Sequence, residues 1–186
     1  MCSRAQQREA KLKERCDMLA HIVESVGPIY RSVTTTEDQK RFIDIMIGAA
    51  LWYLPVPNEC WTKKASVEAI NSHHPNSGDQ APKLTADHEY ARKIAAADLL
   101  AKYLSAVTNL REELLHLYLS RYGRFNCITP RENRASMRYQ RTEKVIDPLT
   151  VYGKAGVKLV SITRAELSKI KARDLYTIEQ LLEKAY

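Results

Sequence analysis

Glycine and proline are scarce in this chain, at 6 and 7 of 186 residues. That excludes a collagen-like repeat and a Pro/Gly-rich disordered tract. No apolar run approaches the ~20 residues needed to span a bilayer, so a membrane protein is not expected. The four cysteines, Cys2, Cys16, Cys60 and Cys127, show no CxxC or CxxH spacing. A zinc site normally draws two ligands from one tight turn, and a secreted disulfide scaffold carries more cysteine. Reduced thiols in a cytoplasmic protein are therefore expected. The amino-terminal stretch MCSRAQQREAKLKERC has positive charge with no apolar segment behind it and does not read as a secretory signal. Glycine-rich phosphate loops (GxxxxGK, GxGxxG), the GxSxG elbow, HExxH and EF-hand spacings are all missing, which removes the chemistries they carry.

What remains is an ordinary globular composition, 45% hydrophobic and 27% charged. At this length a chain buries enough surface to fold without a staple. No linker or repeat divides it, so one domain over 1–186 is expected. Apolar residues at Leu12, Cys16, Leu19, Ile22, Val23 and Val26 predict a helix over about 3–26, closed by Gly27-Pro28 and able to protrude. The capping box Thr36-Glu37-Asp38-Gln39 opens a second helix, whose body RFIDIMIGAALWYL reads as the central, most buried element. WTKKASVEAI reads as a shorter helix and NSHHPNSGDQAPK as an exposed loop, with His73 and His74 solvated. Helices then cover the later part of LTADHEYARKIAAADLLAKYL, after a brief extended start, and NLREELLHLYLSRY, with His116 expected in the core or partly buried. RFNCIT and GVKLVSI are strands, each running into a capping box, Thr129-Pro130-Arg131-Glu132 and Thr163-Arg164-Ala165-Glu166. TIEQLLEKAY is a final helix. The fold class is mainly α with a small β element.

Charge is unevenly spread. Lys and Arg outnumber Asp and Glu by 29 to 22, and residues 121–144 hold seven cations against two acids. Arg131, Arg134, Arg138 and Arg141 recur at helical spacing and form one stripe. Their repulsion is a standing cost that an external anion relieves, and arginine suits bidentate phosphate contacts. With Arg124 and Lys144 they are the candidate nucleic-acid-binding residues, DNA being the expected partner. Trp61, followed by Lys63 and Lys64, reads as core or as a base-stacking surface.

The second signal is Asp87-His88 in KLTADHEYARK, set against Asn133 in NCITPRENRAS. Asp87 reads equally as a metal ligand or as the cap of a helix beginning at His88. A short strand ending in Asp-His, and a later strand running into a helix with Asn near its start, resembles the HNH or ββα-metal nucleases in their endonuclease VII form. The resemblance covers roughly residues 84–138, with 44 residues between His88 and Asn133. It implies a ββα-metal core embedded in a helical domain, His88 as general base, Asp87 and Asn133 as ligands of Mg²⁺ or Mn²⁺, and metal-dependent hydrolysis of phosphodiester bonds. The alternative is a non-catalytic helical module that binds nucleic acid or an acidic partner protein. The arginine stripe and the long first helix are both compatible with a homodimer.

Overall fold

The computed structural model describes residues 3–78, 84–103, 109–142 and 147–185. It is mainly α with a small four-stranded mixed sheet, as the sequence pattern predicts. The residues gather into two compact units, 1–60 with 90–124, and 61–89 with 125–186. Among the described residues no helix is long and apolar enough to cross a membrane.

The first unit is helical. Helix α1 (Arg4–Arg31) opens on a capping box in which Ser3 and Gln6 exchange hydrogen bonds. It runs through Pro28 instead of stopping before it. Pro28 follows Gly27, which has no Cβ to clash with the proline ring, and Tyr30 in the added turn is hydrogen-bonded to Asp44. Helix α2 (Glu37–Trp52) has the predicted Thr36/Gln39 box. Only one side of it is buried, through Ile43, Ile47, Gly48 and Leu51, while Phe42, Ile45, Met46 and Trp52 are exposed. The expectation that this helix is the central, most buried element therefore fails: it lies along one side of the unit's core with its opposite side in water.

After a short α3 (Val67–Ser72) in the second unit, helix α4 (Arg92–Asp98) returns to pack on α2 and continues as a π-helical turn, Leu99–Tyr103. The two approach so closely at Gly48 that a Cβ there would lie 2.9 Å from the Arg92 carbonyl oxygen. Helix α5 (Leu110–Leu117), also ending in a π-helical turn, packs on α1. His116 is exposed on it.

The second unit is built on strands β1 (Trp61–Ser66), β2 (Thr85–His88), β3 (Phe125–Ile128) and β4 (Leu159–Ser161), in the order β2-β3-β1-β4. WTKKASVEAI is thus a strand followed by α3, not one helix. Strand β1 carries an irregularity between Trp61 and Ala65, where Lys63 has a left-handed φ of 60°. That extra length breaks the alternation that would mark a strand in the sequence. Trp61 is buried in the core with Ile70, Cys127, Ile170, Ile178 and Leu181, which settles it as packing. His73 is also buried, its Nδ1 3.0 Å from the Ala69 carbonyl oxygen, and is not solvated. Helices α6 (Pro130–Thr142), α7 (Pro148–Ala155), α8 (Arg164–Lys171) and α9 (Leu175–Glu183) complete the unit.

Candidate active site

Strands β2 and β3 pair antiparallel, with Asp87 opposite Asn126 and His88 opposite Phe125. Strand β3 then runs into α6, which packs against β2. The turn between them is closed by Thr129 and Glu132: the Thr129 N–H donates to Glu132 Oε2 at 2.8 Å, and the Glu132 N–H donates to Thr129 Oγ1 at 3.2 Å. Two strands and a helix, distant in sequence, thus form one strand-strand-helix succession. Asp87 and His88 belong to the strand, so the reading of Asp87 as a helix cap is excluded; the next helix begins only at Arg92.

Asp87 is buried, 8% exposed, on the face that Asn126 shares. The Tyr152 hydroxyl on α7 donates to its Oδ2 at 2.8 Å. Asn126 Nδ2 donates to that same hydroxyl at 3.1 Å, and Thr62 on β1 donates to Asn126 Oδ1. Three side chains in line, Tyr152, Asn126 and Thr62, thereby fix one carboxylate. Burial pushes the Asp87 carboxyl up to about 6, the Tyr152 bond opposes this, and the nearby Glu132 carboxylate adds to it. Burial beside Asp87 pushes the Tyr152 phenol up as well, so it stays a donor. Glu132 is itself held by the Ser66 hydroxyl at 2.6 Å and the Thr129 hydroxyl at 2.9 Å.

Asn133 follows Glu132 in the first turn of α6 and is half-buried. Asp87 and the first turn of α6 therefore lie on the same side of the sheet. Alternation along the strand turns His88 to the other face, where its ring packs near Phe125 with centroids 6.1 Å apart. As the last residue of β2, His88 stands at the strand's end. Arg131, Arg134 and Arg138 are exposed on α6. Arg141 is in its last turn, its side chain outside the described residues, as is all of Lys144. Arg124, half-exposed, belongs to the helical unit.

Among the described residues no group of three or more His, Cys, Asp or Glu is placed to hold a metal ion. The candidate donors are one carboxylate, Asp87, and one amide, Asn133. That set fits a hard cation such as Mg²⁺, which keeps several waters and needs only one or two carboxylates beside substrate oxygens. Two carboxylates on a water-poor face, one with a raised pKa, are also the charge arrangement that a divalent ion relieves.

Tyr152 and Asn126 are the site residues that the motif reading did not reach. Asn126 is a buried polar residue in the middle of a strand, a signal in itself. Tyr152 lies on α7, whose start is marked by Asp147-Pro148, with Asp147 accepting from the Thr150 N–H, and whose end is marked by Gly156 at φ 69°.

Comparison with known proteins returned no matching family model, no matching curated protein and no matching solved structure.

Proposed function

We propose that this chain is a divalent-metal-dependent endonuclease acting on DNA in the cytoplasm. The observation that carries the reading is the antiparallel β2–β3 pair leading into α6, which gathers Asp87 and the Asn133 turn across 45 intervening residues. Asp87 and Asn133 are the oxygen donors for Mg²⁺ or Mn²⁺. When bound, such an ion supplies positive charge to the phosphate oxygens. β2 is an edge strand and His88 its last residue, so a phosphodiester bound over that end would be reached by His88 from the sheet face opposite Asp87. His88 accepts a proton from water at an imidazole nitrogen, the hydroxide adds to phosphorus, and the leaving oxygen departs and takes a proton from solvent. Tyr152 holds the Asp87 carboxylate in one orientation. Arg131, Arg134 and Arg138 hold the backbone of the nucleic acid on the outer face of α6. The buried thiols are bystanders: burial pushes Cys16 up to about 12 and Cys60 up to about 11, far from reactive thiolates.

The test is cleavage of plasmid DNA and of RNA by the purified chain with Mg²⁺, Mn²⁺ or EDTA. Metal-dependent nicking is expected. His88→Ala should cut activity by roughly 10²–10⁴-fold while sparing DNA binding, and Asp87→Ala should be partly rescued by excess Mn²⁺. Full activity in folded His88→Ala protein refutes the base assignment. DNA binding without cleavage under any metal leaves the non-catalytic binding module.

A further inference from the structure

Helices α1 and α2 run antiparallel. Arg15 Nη1 donates to the Tyr53 carbonyl at one end of the pair, and Tyr30 bonds Asp44 towards the other. Their outer surface is apolar: Met18, Ile22 and Ile29 on α1, and Phe42, Met46 and Tyr53 on or just after α2, are each between 41% and 74% exposed. The α1 residues recur at helical spacing as one stripe, and so do the α2 residues. At roughly 200 Å² per large side chain, these fractions leave about 650 Å² of apolar side chain in water. A monomer rarely exposes a contiguous patch above a few hundred Å². A standard interface takes about 800 Å² from each partner, about two thirds of it apolar in homodimers, so the patch is the size that one such interface requires.

The charges at its ends favour a second copy over an unrelated protein. The α1 stripe continues towards the amino end at Lys11, and the α2 stripe begins at Asp38, both exposed. Because the helices are antiparallel, these opposite charges sit at opposite ends of the face. A twofold axis crossing α1 near Ile22, perpendicular to the helices, brings each Lys11 level with the other copy's Asp38, the reciprocal pairing of an isologous contact.

We propose that the α1–α2 face is a homodimer interface, two helical hairpins packing into a four-helix bundle with Lys11 of each copy facing Asp38 of the other. It is independent of the nuclease reading. Sedimentation velocity on the full chain is the test. The wild type should sediment at twice the chain mass of 21.3 kDa. Phe42→Lys and Ile22→Lys, at sites that already face water, should each weaken association on the order of 100-fold, the scale of an interface hot spot. Lys11→Glu should weaken it about 2- to 5-fold, the scale of an exposed ion pair, and Lys11→Glu with Asp38→Lys should recover the loss. Far-UV circular dichroism separates loss of association from loss of fold. A wild type that stays monomeric at the highest soluble concentration overturns the proposal, as does a dimer that both apolar-to-lysine variants leave intact.

Discussion

Replacing Asp87 by Asn should stabilise the second unit at neutral pH and leave it nearly unchanged in acid. The Asp87 carboxyl is raised from 3.8 to about 6, first by burial. In the unfolded chain it ionises near 3.8, whereas in the folded chain it keeps its proton until about pH 6. Across that window the folded state binds more protons, so stability falls as pH rises from about 4 to 6, and the whole cost is present above 6. About two pKa units at 1.36 kcal/mol each place that cost on the order of 2–3 kcal/mol. The substituted amide keeps an oxygen for the Tyr152 hydroxyl but has no charge to bury. In EDTA at pH 7.5, Asp87→Asn should melt about 5–10 °C above the wild type, and at pH 4 the two curves should converge. Divalent ion should then narrow the gap at pH 7.5. Mn²⁺ at ten times its Kd adds about 1.4 kcal/mol to the wild type and nothing to Asp87→Asn. A variant that is destabilised equally at pH 4 and pH 7.5, or a wild type indifferent to Mn²⁺, refutes the reasoning.

Arg131→Gln, Arg134→Gln and Arg138→Gln together should flatten the slope of log K for duplex DNA against log salt by about 2.7, at 0.9 per phosphate; fluorescence anisotropy over a salt series measures it. Tyr152→Phe strands an Asp87 oxygen and takes from Asn126 Nδ2 the nearer of its two acceptors, and should cost about 1–3 kcal/mol in urea unfolding, with weaker metal-dependent cleavage because Asp87 loses its orientation. Gly48→Ala, whose new methyl meets Arg92 backbone atoms at 2.9 and 3.0 Å, should destabilise the helical unit by about 1–3 kcal/mol, seen as a lower melting temperature.

Local signals proved legible wherever chain neighbours make the structure. The boxes at Thr36, Thr129 and Thr163 all form, because a capping hydroxyl and its partner lie three residues apart. The strand at Phe125–Ile128 and the arginines of α6 were read for the same reason. Burial was less legible. RFIDIMIGAALWYL is apolar on most sides, and nothing within it says how many neighbours will cover it. The candidate site was half legible. Asp87, His88 and Asn133 stand out by residue type, but the Tyr152–Asn126–Thr62 chain joins three elements, and no spacing in the sequence records that they meet. Nor does the division into two units leave a linker, because the chain passes between them at residues 60–61, 89–90 and 124–125.

Those three crossings govern the order of events during synthesis. Strand β3 is the inner strand on which both β1 and β2 pair. It is also the last of the three to emerge, after all of the helical segment 90–124 has been made. At about 5–20 residues per second the ribosome takes several seconds to travel from β1 to β3. The first unit receives its last residue just before β3 begins, so its sequence is complete before that of the sheet, and until then β1 and β2 wait with open edges. A purified fragment ending at residue 124 should therefore resist protease over α1, α2, α4 and α5 and be cut readily at 61–89, and it is at this stage that chaperones would have most to protect.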